Sequence, residues 1–236
     1  MSADSPKLYL LDVEGTVAPL TLTTEVLFPY ARKHFSAFLK EHFGETALRL
    51  DLHALATERK LETDQDAPRC FGDGQESLAY LFWLMDRDRK STALKTLQGK
   101  IWKEGFESGE LKGTVFDDVP PALARWAAQA KIAIYSSGSV EAQKLFFHHS
   151  SAGDLTGLIG DYFDTRTGVK TEPASYSAIA EAMNAEPGEC LFFSDALKEL
   201  DAAREAGLGT RLVVRPGNPP VEDLCGHQSI DSFESL

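Results

Sequence analysis

Six polar residues in four separate stretches of this sequence have the side-chain types that phosphoryl transfer requires. They are Asp12, Glu14, Ser136, Ser137, Lys170 and Asp195. A carboxylate such as Asp12 can attack phosphorus and form an acyl-phosphate. A second acid can move protons, serine hydroxyls can donate hydrogen bonds to phosphate oxygens, and a lysine can offset the charge that develops in the transition state. Two carboxylates and a backbone carbonyl are oxygen ligands of the kind that Mg²⁺ binds.

Each of these residues has an ordinary structural explanation when it is considered alone. An aspartate after a strand is commonly a turn former, the Ser136-Ser137-Gly138 stretch could be a loop with a helix cap, and a lone lysine is usually a solvated charge. The order and placement of the whole set are more specific than any single member, so we interpret the residues together.

Short apolar runs predict the strands that position these residues. The runs cover residues 8–11, 132–135, 191–193 and 211–214. In the second half of the chain they alternate with helical patterns, which indicates a parallel α/β sheet. Ligands bind at the carboxyl ends of strands in such sheets. We therefore expect Asp12, Ser136 and Asp195 to converge at one edge.

The region between the first two predicted strands has a helical pattern. Apolar residues recur there at spacings of three and four, as one face of a helix requires. We predict that residues 20–116 form a helical insertion into an α/β core made of residues 1–19 and 117–236. The glycine-rich stretch 153–168 reads as a loop, and the tail after Pro216 is predicted to be irregular.

Composition excludes several classes of function. The 236 residues contain 24 Lys and Arg against 36 Asp and Glu, a net charge of −12, which argues against nonspecific nucleic-acid binding. An anionic small substrate remains possible, because a pocket can be locally positive.

The cysteines and the apolar stretches exclude further classes. Cys70, Cys190 and Cys225 lack the spacing of a zinc site or a disulfide framework, and no apolar stretch approaches the length of a membrane span. We expect a cytoplasmic protein that binds no membrane.

The set of motifs resembles the haloacid dehalogenase superfamily of aspartyl-phosphate phosphatases. Asp12-Val13-Glu14-Gly15-Thr16, Ser137, Lys170 and Asp195 match its four motifs. Glu14 stands where this superfamily usually has Asp, which points to the enolase-phosphatases of methionine salvage. Similarity to that branch extends through the stretches 27–30, 101–105, 108–113, 135–144, 162–165, 168–170 and 214–218. Ala196 and Phe147-His148 are small departures from its pattern that leave the chemistry untouched.

The resemblance implies a Rossmann-like core with an inserted helical cap domain. It also implies an acireductone synthase, with one Mg²⁺ per chain. Such an enzyme enolises 2,3-diketo-5-methylthiopentyl-1-phosphate and then removes phosphate through an aspartyl-phosphate, which yields 1,2-dihydroxy-3-keto-5-methylthiopentene. The substrate partner is thus a small phosphorylated diketone, and we expect a monomer.

Residue roles follow from the matched motif positions. The resemblance implies that Asp12 is the nucleophile and a metal ligand, and that Glu14 is the general acid/base and is associated with the metal. Asp195 is implied as the remaining metal ligand. Ser136, Ser137 and Lys170 are implied to bind substrate, Lys170 also acting in catalysis. Glu199, four residues after Asp195, could orient Lys170 or the metal shell, or be a surface charge on a helix.

Four other functions are compatible with parts of this pattern. Another phosphatase of the same superfamily, or a phosphomutase, would share the core and its motifs. A hydrolytic dehalogenase needs no metal, which would leave Glu14 and Asp195 unexplained. A non-catalytic binding protein could keep the fold, but the motif positions are intact in this chain.

Overall fold

The computed structural model describes residues 5–234 of the chain. The strands are β1 (Leu8–Leu11), β2 (Lys131–Tyr135), β3 (Asp161–Phe163), β4 (Cys190–Ser194), β5 (Gly209–Val213) and β6 (Gln228–Ile230). The α-helices are α1 (Phe28–Glu41), α2 (Thr46–Leu61), α3 (Leu78–Asp86), α4 (Thr92–Glu107), α5 (Val119–Ala127), α6 (Val140–His148), α7 (Pro173–Ala182) and α8 (Leu197–Glu205). Among residues 5–234 no helix has the length and apolar character that crossing a membrane requires.

The strands form one parallel sheet in the order β3-β2-β1-β4-β5-β6. The chain moves outward on one side of β1, then crosses to β4 and moves outward on the other side, so the strand order reverses at β1. Every residue of β1 and β4 is buried, as continuous apolar runs predict for parallel strands covered on both faces. The predicted α/β fold with a Rossmann-like parallel sheet is confirmed.

The chain divides into two units. One contains the segments up to Leu22 and from Leu111 onwards, and it includes the whole sheet; the other is Thr23–Glu110. The second unit has its own core, in which α1 buries Ala31, Phe35, Phe38 and Leu39. Their spacing of three and four residues gives α1 one apolar face. The predicted insertion, 20–116, contains this helical unit.

Two strands lie where the sequence pattern predicts none. β3 falls within the glycine-rich stretch 153–168, and β6 falls in the tail that is predicted to be irregular. Each strand has three residues, too few for an alternating pattern to be recognised. Both lie at the edges of the sheet, and each pairs there with a strand that precedes it in the chain, β2 or β5.

Arg215 connects three parts of the sheet-containing unit. Its buried guanidinium donates from Nε to the carbonyl of Thr16 at 2.9 Å and from Nη1 to Oδ2 of Asp118 at 2.8 Å. It also lies 4.6 Å from the ring centroids of Phe116 and Phe233. The loop after β1, the segment before α5 and the chain after β6 are therefore held together by one cation.

We predict that Asp118→Ala destabilises the protein by about 3–5 kcal/mol, because it leaves the buried Arg215 without a counter-ion. Urea unfolding measures this change. The matched control is Asp86→Ala, which removes the carboxylate of an exposed pair with Arg32 and should cost less than about 1 kcal/mol. Equal losses in the two variants would contradict the role given to Asp118.

The same pair should make stability depend on pH. Burial opposes the charge of Asp118, but hydrogen bonds from Arg215 and the Phe233 amide hold the pKa of this carboxyl below its ordinary value. A lowered pKa in the folded state means that the stabilisation is complete above the unfolded pKa and is lost as pH falls through the folded pKa. The stability gap between wild type and Asp118→Ala should therefore shrink on acidification.

Candidate active site

Asp12 lies directly after the central strand β1, and its position is fixed by several hydrogen bonds. Its amide donates to the carbonyl of Phe193 at 3.0 Å, which extends the pairing of β1 with β4. Its side chain is buried. Oδ1 accepts from the amide of Val13 and from Nζ of Lys170, both at 2.7 Å, and Oδ2 lies 3.4 Å from Oγ of Ser194. Oδ2 is therefore the less engaged oxygen.

Lys170 reaches Asp12 from the loop before α7. The residue is 7% exposed, and its Nζ is also 2.7 Å from Oε2 of Glu199. The hydroxyl of Tyr176 donates to the carbonyl of Lys170 at 2.7 Å, which fixes the backbone beneath the side chain. Burial opposes the ammonium charge, but the two carboxylates raise the pKa of Lys170 above its ordinary value. The lysine is thus a buried cation between two acids.

Glu199 belongs to this cluster, which resolves the alternatives that the sequence leaves open. It lies in the first turn of α8, where its Oε2 accepts from Nζ of Lys170 and from Oγ of Ser194, the latter at 3.0 Å. Burial, followed by the charge of Asp12, raises the pKa of Glu199 to about 7, while Lys170 opposes the shift. The spacing from Asp195 is the signal in the sequence that indicates this position.

The loop after β1 brings Asp195 close to Asp12. Amides of residues 16–18 donate to the carbonyl of Val13, which forms a tight turn. Gly15 has φ +72°, and a Cβ on it would lie 2.3 Å from Oδ2 of Asp195. Only glycine fits there. Burial and the charge of Asp12 raise the pKa of Asp195 to about 6, so the two carboxylates repel each other across this turn.

The serines after β2 have different environments. Ser136 is buried, and its Oγ lies 3.5 Å from Oε2 of Glu14, at the limit of a hydrogen bond. Its Oγ also accepts from the amide of Gly138 at 3.2 Å. Ser137 is exposed. The structure thus brings Ser136 to Glu14 and leaves the hydroxyl of Ser137 accessible to a ligand.

The oxygen atoms at this edge suit a hard divalent cation. Asp12 and Asp195 supply carboxylates, and the absence of a Cβ on Gly15 lets the loop after β1 lie directly against Oδ2 of Asp195. Within residues 5–234 no three His, Cys, Asp or Glu side chains converge as a complete ligand set. A cation would need Glu14, through its carbonyl or its carboxylate, and water as further ligands. This donor set fits Mg²⁺, which usually keeps several waters.

Three polar residues outside the predicted set contact this site. Ser194 and Glu199 engage the Asp12–Lys170 pair, and Asn218 donates from Nδ2 to the carbonyl of Gly15 at 2.9 Å. Ser194 is the last residue of β4, so the rule that strand ends line the site could have identified it. The rule does not identify Asn218, because it lies in a turn five residues beyond β5; its only signal is that the stretch 214–218 resembles the family.

Known proteins share sequence and fold with this chain. Residues 6–207 match the family model described as haloacid dehalogenase-like hydrolase. The chain is 49% identical to "Enolase-phosphatase E1" of Synechococcus elongatus over 96% of both proteins. It is 38% identical to the protein of that name from Danio rerio over 99% of this chain and 95% of the relative. The crystal structure of UTR4 protein from Saccharomyces cerevisiae superposes with a TM-score of 0.81 at 35% identity, covering 98% of this chain and all of that one.

We predict that Lys170→Met destabilises the protein by about 3–5 kcal/mol at about pH 8, because two buried carboxylates lose their shared cation. Adding Glu199→Gln should restore about 1–2 kcal/mol, since it removes one of those charges. Urea unfolding of both single variants and the double variant measures this coupling.

The matched control for these three variants is Lys95→Met, which changes an exposed lysine on α4. It should change the free energy of unfolding by less than about 0.5 kcal/mol. Additive losses in the double variant would contradict the proposed sharing of Lys170 between two acids.

Proposed function

The chain belongs to the haloacid dehalogenase-like hydrolases and, within them, to the enolase-phosphatases, and we propose that it converts 2,3-diketo-5-methylthiopentyl-1-phosphate to the acireductone and phosphate. It is a phosphatase enzyme. We further propose a cation and a role for each site residue, as described below, and we propose that the reaction belongs to methionine salvage. The observation that carries it is the buried Asp12 carboxylate at the end of β1, held by Lys170 at 2.7 Å.

In this proposal Asp12 is the nucleophile. Oδ1 is held by two strong donors, which orient the carboxylate and lower the reactivity of that oxygen. Oδ2, with its single long contact to Ser194, attacks phosphorus, the P–O bond to the substrate breaks, and an aspartyl-phosphate forms. Lys170 offsets the negative charge on the phosphoryl oxygens as the bond order changes. The exposed hydroxyl of Ser137 donates a hydrogen bond to one of these oxygens.

Glu14 is the proposed acid and base. Its carboxylate lies on the loop after β1, two residues from Asp12, and Ser136 lies beside it. It gives a proton to the leaving oxygen of the substrate and then takes one from the water that hydrolyses the aspartyl-phosphate. For enolisation it removes a proton from the carbon next to a carbonyl, and Lys170 stabilises the enolate oxygen that results.

Haloacid dehalogenase-like hydrolases are generally Mg²⁺-dependent, and we propose that Asp12, Glu14 and Asp195 bind one Mg²⁺ in this chain. When bound, Mg²⁺ supplies positive charge between the acidic side chains and an anionic substrate, whose mutual repulsion would otherwise oppose binding. The close approach of Oδ2 of Asp195 to Gly15, three residues after Asp12, supports this assignment. So does the raised pKa of Asp195, because two close carboxylates need a cation to stay ionised together.

The remaining expectations are properties of the whole protein. Cys70, Cys190 and Cys225 are free thiols, which is typical of proteins in a reducing compartment such as the cytoplasm. The acidic surface, with a net charge of −12, disfavours nucleic acid as a partner. A monomeric state stays a prediction.

The first experiment uses the diketo phosphate as substrate, with and without Mg²⁺. Absorbance of the enol measures enolisation, and phosphate release is measured separately. We predict that Asp12→Asn lowers the rate of phosphate release by roughly 10³-fold or more, because an amide cannot replace the nucleophile. Wild type should lose phosphate release when Mg²⁺ is removed. The control is Asp161→Asn, the same change at the start of β3, which should keep wild-type activity. Phosphate release by Asp12→Asn at the wild-type rate would overturn the nucleophile assignment.

Glu14→Gln tests the acid/base role. We predict that it slows enolisation and phosphate release each by about 10²–10⁴-fold, because both steps need proton transfer by the carboxyl group. Glu181→Gln, an exposed position in α7, is the matched control. If Glu14→Gln enolised at the wild-type rate while losing phosphatase activity, Glu14 would have no part in the first step.

A further inference from the structure

A tight turn after β5 returns the chain to the site edge of the sheet. The amide of Asn218 donates to the carbonyl of Arg215 at 3.0 Å, which closes the turn. Pro216 and Gly217 occupy its central positions, and Gly217 has φ +92°. Proline followed by glycine with positive φ is the sequence of a type II turn. The turn places the Asn218 side chain next to the loop after β1.

The Asn218 amide group connects the two strand ends that flank β4. Nδ2 donates to the carbonyl of Gly15 at 2.9 Å and lies 3.3 Å from the carbonyl of Val213. β4 lies between β1 and β5 in the sheet, so this contact crosses the position where Asp195 follows β4. Because both contacts of Nδ2 are with carbonyl oxygens, they determine which end of the side-chain amide is nitrogen.

The other end of the same amide has no partner. Oδ1 of Asn218 is buried and accepts no hydrogen bond from any described residue. It lies 3.2 Å from the point that a Cβ on Gly15 would occupy, and Oδ2 of Asp195 lies 2.3 Å from the same point. The two oxygen acceptors therefore lie close to each other beside Gly15. A buried acceptor that stays unpaired is costly, so Oδ1 of Asn218 calls for a hydrogen-bond donor that the described residues do not supply.

Water is the donor that fits, and the position of Asp195 identifies which water. A water molecule has two O–H bonds and can serve two acceptors. Groups that hydrogen-bond the ligands and waters of a metal orient them and tune the affinity of the site. We propose that Asn218 is a positioning residue of the cation site: its Oδ1 accepts a hydrogen bond from a water molecule bound to the cation, while its Nδ2 holds the carbonyl of Gly15. This inference rests on the Mg²⁺ site of the proposed function.

The test is calorimetric titration of the metal-free, full-length protein with MgCl₂ alone, which measures the dissociation constant without using activity. Asn218→Ala loses both functions of the amide, and we expect its dissociation constant for Mg²⁺ to rise by about 10- to 100-fold. Asn218→Asp keeps an oxygen acceptor but loses the donor, and we expect a rise of less than about threefold. The thermal midpoint of each metal-free variant shows whether it is folded.

Asn184→Gly is the matched control, because it changes the other asparagine of the chain. Asn184 lies after α7 with φ +51°, a conformation that glycine accepts, and we expect wild-type Mg²⁺ binding from this variant.

The outcomes separate this inference from the proposed function. If wild type binds no Mg²⁺, the proposed cation site fails and the role of Asn218 fails with it. If wild type binds Mg²⁺ and Asn218→Ala binds it equally well, only the role of Asn218 is overturned. Equal weakening in Asn218→Ala and Asn218→Asp would also overturn it, because the Nδ2 contacts alone would then explain the loss. If Asn218→Ala does not fold, Asn218→Asp becomes the test. A dissociation constant for Mg²⁺ that is 10-fold or more above that of wild type would then overturn the role of Asn218.

Discussion

The site depends on one buried ammonium group shared by two carboxylates. Lys170 contacts Asp12 and Glu199 at 2.7 Å each, and the single hydroxyl of Ser194 lies 3.0 Å from Glu199 and 3.4 Å from Asp12, so it donates to Glu199. Without this cation the acids would repel each other in a poorly solvated space and would take up protons. With it, Asp12 is held in one orientation, in which Oδ1 accepts from two donors and Oδ2 has only the longer contact of 3.4 Å with Ser194. Electrostatic contacts therefore fix the geometry of the Asp12 carboxylate, and the loop that carries Lys170 is as much a part of the site as β1.

The sheet explains why residues so distant in sequence can meet. β1 lies at the centre with β2 on one side and β4 on the other, so the loops after these three strands are neighbours. The segment after β5 completes the edge, because Arg215 holds the carbonyl of Thr16 and Asn218 holds that of Gly15. The loop after β1 is thus held at two consecutive carbonyl groups. Rigid support of this kind keeps a carboxylate in place when a charged ligand arrives.

Part of this could be predicted from the sequence, for identifiable physical reasons. Asp12, Ser136 and Asp195 follow apolar runs. A buried parallel strand is a continuous apolar run, so the point where it ends can be located in the sequence. Lys170 lies in a loop, where periodicity carries no information, so its residue type suggests a role but its contact with Asp12 cannot be predicted from a strand end. Asn218 meets Gly15 across 203 residues of sequence, a contact that exists only after the sheet has formed. The short strands β3 and β6 were missed because their pairing partners, and not their own residues, determine them.

The central claim is that Asp12 attacks the substrate and carries the phosphoryl group. It is tested most directly by rapid acid quenching of the wild-type protein at several times within the first turnover of the diketo phosphate with Mg²⁺, followed by mass spectrometry of its peptides. Wild type is used because Glu14→Gln would slow formation of the adduct as well as its hydrolysis. The account predicts a phosphoryl adduct on the peptide that contains Asp12. An adduct on a different residue, or phosphate release with no adduct at any quench time, would contradict it.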